Sequence, residues 1–280
     1  MNIIRALTGS YPGTEIGFTS FKFSGGEINV KVEPIISDAE LVIDCYFKGS
    51  DDIIEMIMLT DAIRRADRQI NITRKIHLLM PYMPGARQDR VMVPGEALAV
   101  KIFANLINAQ NFDTVTVWDA HSDVTNALLN RSRNIPIEDL IHTPNYFPVF
   151  GTVIVSPDAG AEKKIYKFAN KFGYKHVVTA SKIRDVSTGQ ITETTIGKFP
   201  DFLSAPEILI VDDICDGGRT FIELAKALRK VSSGNINLLV THGIFSKGIE
   251  VFDGLIDKVL VINSINGVVS SSKTEVITIQ

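Results

Sequence analysis

Residues 207–230 read EILIVDDICDGGRTFIELAKALRK, and this stretch decides the fold. Ile208, Leu209, Ile210 and Val211 form a short apolar run, the pattern of a parallel strand buried on both faces. Asp212 and Asp213 are expected to end that strand. The segment from Cys215 to Thr220 carries Gly217 and Gly218, which tolerate positive φ and close backbone approach. Phe221, Leu224, Ala225 and Leu228 then recur at helical spacing, so a helix with one apolar face follows. Loop N–H groups and a helix N-terminus together cradle a phosphate. Paired carboxylates suit sugar hydroxyls or a metal ion rather than the phosphate itself. The loop therefore asks for a ligand that carries both a phosphate and a polyol. The bland alternative is a βα turn whose aspartates cap the helix. The apolar run, three acids, two glycines and Thr220 together weigh against it.

The 280 residues leave room for about two domains of ordinary size. With 45% apolar and 22% charged residues, the chain can bury a sizeable core. A net charge of −3 argues against a general basic footprint for nucleic acid. The apolar runs are far short of a membrane span, and Gly9 and Pro12 come too early for a secretory leader. Cys45 and Cys215 make neither a CxxC pair nor a disulfide framework, which fits a reducing cytoplasm. Cys215 is expected in the ligand loop, as an exposed thiol or a small loop residue.

Taken in order, the chain opens with a short strand within residues 1–10. Residues 18–32 alternate apolar and polar around Ser24-Gly25-Gly26, which reads as a hairpin. A strand is expected over 41–46. Ser50 is expected to cap a helix over 51–68 that offers Ile54, Ile57, Met58 and Ile63 to the core. Strands over 75–82 and 114–119 flank a helix over 95–110. Residues 131–150 hold three prolines and no clear periodicity, so the domain boundary is placed there, giving domains 1–145 and 146–280. The second restarts with a strand over 152–156, a helix over 162–172 and a strand over 176–182. Ser187-Thr188-Gly189 reads as the turn of a projecting hairpin. Strands at 237–240 and 258–262 follow the central strand-loop-helix. Alternating strands and helices imply two α/β domains with mainly parallel sheets. The segments TVTVWDAHS and TVIVSPDAG are alike but too short to establish a repeat.

Other residues carry candidate chemistry. Arg87 and Arg90, within GARQDR at 85–90, suit multidentate oxyanion binding or a solvated surface loop. His121, between Asp119 and Asp123, suits a metal ligand, a base or a hydrogen-bonded structural residue. Asp158, after Ser156-Pro157, suits a metal ligand or a helix cap.

The loop at 211–220 closely resembles the phosphoribosyl diphosphate (PRPP) loop of type I phosphoribosyltransferases. FSGGE (23–27), PYMPGARQDR (81–90), WDAH (118–121), SPDAG (156–160), KIR (182–184) and VDDICDGGRT (211–220) follow in one order. That order resembles the ribose-phosphate diphosphokinase (PRPP synthetase) family across nearly the whole chain. The resemblance implies two tandem phosphoribosyltransferase-like domains. It implies transfer of the diphosphoryl group of MgATP to O1 of ribose 5-phosphate, giving PRPP and AMP. By motif match, Phe23 would pack on adenine with Glu27 near its edge, and Arg87 and Gln88 would hold ATP. His121 and Asp158 would contact the metal–triphosphate, with Mg²⁺ as the metal. Lys182 and Arg184 would lie on a catalytic hairpin. Asp212 and Asp213 would take the ribose hydroxyls, and Asp216, Gly217, Gly218, Arg219 and Thr220 the 5-phosphate.

The family also implies a cytoplasmic homo-oligomer, dimer or hexamer, with no nucleic-acid or membrane partner. Three departures stand out. Gly25 replaces a side-chain-bearing residue, Val91-Met92-Val93-Pro94 follows where the family is basic, and ITIQ stops short of the family's closing helix. Weak allosteric inhibition by ADP is therefore expected. Two other readings compete: a salvage phosphoribosyltransferase that consumes PRPP, and a non-catalytic regulatory homologue. The first would not need ARQDR, and the second should have lost Lys182, Arg184 or the loop at 212–220.

Overall fold

The computed structural model describes residues 4–8, 14–34, 39–141, 147–184, 191–200 and 207–277. The chain divides into two α/β units, Met1–Pro136 and Ile137–Gln280.

The first unit is built on a sheet of order β2-β1-β5-β6-β7-β8. Its strands are β1 (Ile4–Thr8), β2 (Thr14–Ile16), β5 (Leu41–Cys45), β6 (Ile76–Leu79), β7 (Thr114–Trp118) and β8 (Ser132–Ile135). From β5 to β8 the pairing is parallel, and β1 runs antiparallel to both neighbours. A separate antiparallel hairpin joins β3 (Phe18–Lys22) to β4 (Ile28–Val32), with Phe18 opposite Val32. The helices are α1 (Ser50–Gln69), α2 (Ala99–Asn108) and α3 (Asp123–Leu128).

Two expectations fail here. Of the four residues expected in the core from α1, Ile63 is buried and Ile57 packs partly buried against the core, while Ile54 and Met58 are exposed and Ile53, Met56 and Leu59 are buried instead. Residues 53–59 are apolar at nearly every position, so their spacing alone does not choose a face. The N-cap is Gly49 rather than Ser50. The Asp52 carboxylate accepts the N–H groups of Lys48 and Gly49 at 2.6 and 2.8 Å, which satisfies donors left open by the helix end. Strand β8 was also unforeseen. It lies in the proline-containing stretch 131–150 in which sequence reading places the domain boundary, and its pairing with β7 leaves the division after Pro136.

In the second unit the sheet order is β11-β10-β9-β12-β13-β14-β15. The strands are β9 (Thr152–Ser156), β10 (His176–Arg184), β11 (Ile191–Ile196), β12 (Glu207–Cys215), β13 (Ile236–Gly243), β14 (Lys258–Ser264) and β15 (Thr274–Val276). Only β10 and β11 pair antiparallel; every other neighbour is parallel. Helices α4 (Ile137–Leu140), α5 (Glu162–Phe172) and α6 (Arg219–Val231) complete it, with a single 3₁₀ turn at Glu250–Phe252. Strands β9 and β13 are buried along their whole length, and their centres, Val153–Val155 and Leu238–Val240, are apolar at every position. Helix α6 buries the four residues its spacing implies: Phe221, Leu224, Ala225 and Leu228. Truncating either fully buried leucine to alanine costs about 2–5 kcal/mol on general grounds.

Strand β12 continues through Asp212 and Asp213 to Cys215 instead of ending at them. Its register with β13 holds to the last pair, Cys215 opposite Gly243. The acids are tolerated inside a strand because they fall at its carboxyl end, where the sheet opens to loops. Cys215 is accordingly a buried strand residue and not an exposed loop thiol.

Candidate functional site

Strand order in the second unit fixes where a ligand can sit. From β9 the chain proceeds through α5 to β10 on one side; from β12 it proceeds through α6 to β13 on the other. Neighbours β9 and β12 thus send their loops apart, and a crevice opens at their carboxyl ends. The two motifs SPDAG and VDDICDGGRT stand at this point.

On the β12 side, Asp213 is buried and its N–H donates to Oδ1 of Asp212 at 2.9 Å. Removal from water, then the neighbouring Asp213 charge, pushes the half-buried Asp212 carboxyl well above the usual aspartate range. Lys164, in the first turn of α5, opposes that shift with its charge. Sequence reading missed Lys164; its only signal was a cation just after SPDAG. Beyond Cys215 the chain turns at Gly218, the N-cap of α6, with φ 76°. A side-chain carbon there would stand 2.8 Å from Cζ of Phe252, so glycine is required by both angle and space. Gly217 has no positive φ. Asp216 and Thr220 are half-buried, and Arg219 is exposed at the start of the helix.

On the β9 side, the Ser156 hydroxyl donates to the Asp158 carbonyl at 2.8 Å. Oδ1 of Asp158 accepts the Ala161 N–H at 3.1 Å, so one of its oxygens serves the entry to α5. Both readings of Asp158 stay compatible, since a carboxylate has a second oxygen. Strand β10 carries Lys182 and Arg184 into the hairpin with β11, where Lys182 stands opposite Thr194. A register shift falls between Ile183 and Arg184, with Ile183 opposite Glu193 and Arg184 opposite Ile191, so the extra residue lies on β11. The side chains of Lys182 and Arg184, and the turn Ser187-Thr188-Gly189, lie outside the described residues.

The first unit's residues are displayed differently. In the turn between β3 and β4, the Phe23 N–H donates to the Glu27 carbonyl at 2.8 Å, and the Gly26 N–H to the Phe23 carbonyl at 2.8 Å. Phe23 is 52% exposed and meets Phe21 edge-to-face, ring centroids 4.7 Å apart. A side-chain carbon on Gly25 would lie 2.5 Å from Oε2 of Glu27. Glu27 thus fills the space that a side chain at position 25 would need.

The loop after β6 is held from below. Met83 and Ala86 are buried, and a side-chain carbon on Gly85, φ 72°, would lie 3.0 Å from the backbone of Ala99 and Val100 in α2. Arg87 and Gln88 project from it, exposed. Asp89 ties this loop to the WDAH segment. Its carboxyl is held below the ordinary range by the Arg90 guanidinium, with smaller contributions from Ser122 and His121. His121 itself is exposed, and Asp119 before it is buried with φ 44°.

Among the described residues no group of three or more His, Cys, Asp or Glu side chains is arranged to hold an ion. A hard cation carried mainly by phosphate oxygens needs only one or two ligands from a protein. The Asp158 carboxylate has the matching chemistry, and the His121 ring is the softer donor of the two. No helix among the described residues is long and apolar enough to cross a membrane.

Comparison with known proteins agrees with the motif order. The family model described as the N-terminal domain of ribose phosphate pyrophosphokinase matches residues 10–110. The ribose-phosphate pyrophosphokinase of Gloeobacter violaceus is 30% identical over 253 residues, 87% of this chain and 72% of the relative. That of Pyrococcus furiosus is 29% identical over 250 residues, 87% of this chain and 84% of the relative. In fold, the chain is similar to the crystal structure of phosphoribosylpyrophosphate synthetase from Mycobacterium smegmatis. The TM-score is 0.77 at 19% identity, covering 95% of this chain and 87% of that one.

Proposed function

The chain belongs to the ribose-phosphate pyrophosphokinase family of enzymes, and from that premise we propose that it transfers the β,γ-diphosphoryl group of MgATP to O1 of ribose 5-phosphate. The products are PRPP and AMP. One observation carries the reading: the crevice between β9 and β12 sets paired, mutually destabilising carboxylates beside a glycine loop at a helix N-terminus. Such a site suits a ligand with hydroxyls at one end and a phosphate at the other.

Each residue then has a task. Asp212 and Asp213 accept hydrogen bonds from the ribose hydroxyls, and a sugar hydroxyl donating to Asp212 offsets part of the cost of its ionisation. Backbone N–H groups of 216–220 take the 5-phosphate. Phe23 offers a ring face to adenine and Glu27 an acceptor to its amino edge. Arg87 and Gln88, displayed on a loop packed against α2, hold the polyphosphate. Mg²⁺, with Asp158 and His121 as protein contacts, would draw charge from the transferring group when bound. Lys182 and Arg184 supply the remaining positive charge to the transition state, in which charge builds on the transferring and leaving oxygens. Catalysis is then mainly positioning and cationic stabilisation. The same premise supports a cytoplasmic homo-oligomer, dimer or hexamer, which light scattering during gel filtration checks.

Incubation with ATP, Mg²⁺ and ribose 5-phosphate tests the reaction. AMP and PRPP in equal amounts are expected. A chain that makes no AMP but consumes PRPP in the presence of a nucleobase is a salvage transferase. A chain that does neither is a regulatory homologue.

A further inference from the structure

The turn that follows β13 has no task in the mechanism above, yet it forms one wall of the glycine loop. The N–H groups of Ile244 and Phe245 both donate to the Cys215 carbonyl, at 2.8 and 3.2 Å. Gly248 N–H closes the turn on the Phe245 carbonyl at 2.9 Å. Asn266 Nδ2 donates to the Ile244 carbonyl at 2.6 Å and holds the turn from the far side. The segment is therefore fixed to the last residue of β12, where the loop begins. A side-chain carbon on Gly217 would lie 3.6 Å from both Cδ and Cε of Lys247 and 3.7 Å from Oγ of Ser246. The stem of Lys247 lies beside Gly217, and the Phe252 ring packs against Gly218.

Lys247 is exposed, and among the described residues no carboxylate pairs with it. The loop itself offers Asp216 as an acid, and its one cation, Arg219, is exposed on the helix. A phosphate dianion in a cradle of backbone N–H groups lacks a full positive charge nearby. A lysine whose apolar stem is laid against the loop, with its ammonium not engaged by the protein, answers that need.

We propose that Lys247 binds the 5-phosphate of ribose 5-phosphate, an assignment that rests on the reading of 216–220 as the phosphate loop. Lys247 is a binding residue and not a catalytic one, so ground-state affinity is where it acts. The alternative is a solvated surface lysine, whose removal would change nothing.

Calorimetry on the full chain separates the two, using ribose 5-phosphate and, in parallel, MgATP as titrants. Lys247→Ala is expected to bind ribose 5-phosphate about ten-fold more weakly, as for loss of one charge-assisted contact. Its MgATP affinity and melting temperature should be those of the wild type, and Lys247→Arg should recover most of the loss. The wild-type response to added salt should be steeper than that of Lys247→Ala. Asp213→Ala serves as the reference for the site. If Asp213→Ala loses ribose 5-phosphate and Lys247→Ala keeps it, the Lys247 assignment is wrong while the site stands. Equal losses for both titrants in Lys247→Ala would also overturn it. If the wild type binds no ribose 5-phosphate, the reading of the loop fails and Lys247 falls with it.

Discussion

The two units share an alternation of strands and helices but differ in where their loops diverge. In the first, β5, β6, β7 and β8 lie side by side in chain order, so every crossover moves the same way. In the second, β9 and β12 are neighbours whose crossovers part. The difference reaches the functional side chains. Around the crevice of the second unit, Asp213 is buried, Asp212 is half-buried and Gly218 is fixed by Phe252. In the first unit, Phe23, Glu27, Arg87, Gln88 and His121 are all exposed, on a hairpin and on loops. On the proposed reading, buried groups line the site of one unit and exposed side chains make up that of the other. Where a long side chain has to be ordered on binding the cost is about 0.5–1.5 kcal/mol, so exposure is the property on which the two proposed sites are compared.

The largest effect should come from the hairpin of the second unit. Lys182→Ala and Arg184→Ala should each lower kcat by about 10²-fold or more, as removal of one preorganised charge-stabilising donor does. Michaelis constants should move far less, because the charge they answer develops only in the transition state. Steady-state kinetics with melts to verify folding decide this. Near-normal kcat in two folded variants would leave the transition-state charge without a protein source.

Next comes the crevice itself. Asp213→Ala should weaken ribose 5-phosphate or PRPP binding by about 10–100-fold, the loss of charge-assisted hydrogen bonds to hydroxyls. ATP binding should stay within about two-fold. Calorimetry giving equal losses for both ligands would merge the two units into one site and break the comparison.

The contrast also explains what was legible in the sequence. The second unit's core strands and α6 could be read because a strand buried on both faces is apolar throughout and an amphipathic helix repeats its face. The crevice was legible as a motif, but its walls were not. Lys164, Phe252 and Lys247 reach the site through packing, which leaves no periodic trace. In the first unit, six apolar residues in seven across 53–59 hid the buried face of α1. Strand β8 was hidden by its polar composition: Ser132, Arg133 and Asn134 are held by pairing with β7 and not by burial. Asp89 looked like one charge in a charged loop. Its neighbours Arg90, Ser122 and His121 come together only in three dimensions.

A smaller effect is expected on the ATP side. Arg87→Ala and Phe23→Ala should each raise the Michaelis constant for ATP by about ten-fold, through a lost charged contact and a lost stacking face respectively. Constants for ribose 5-phosphate should not change. Both side chains are exposed, so melting temperatures should hold within about 2 °C. A drop in stability instead would show that these groups are structural and that the first unit is as preorganised as the second.

The smallest effect sharpens the comparison most directly, because the carboxyls of the two units respond to pH in opposite directions. Burial, then Asp213, raises Asp212 above the ordinary value of 3.8. Between 3.8 and the raised value, the native chain keeps a proton that the unfolded chain has released. The unfolded state binds fewer protons there, so this group's contribution to stability falls as pH rises. Asp212→Asn abolishes that slope, and the variant should gain on the wild type across the window by no more than about 1.4 kcal/mol per pH unit, less for partial exposure. Asp89 is lowered from 3.8, chiefly by Arg90. Its contribution is complete above 3.8 and is lost as pH falls through its lower native value. Asp89→Asn should therefore be slightly less stable than wild type near neutral pH, with the gap closing in acid. Urea midpoints from about pH 3 to about pH 7 on both variants read the two slopes together. Slopes of the same sign would mean that a cation such as Lys164, and not burial, dominates the Asp212 carboxyl, as Arg90 dominates Asp89.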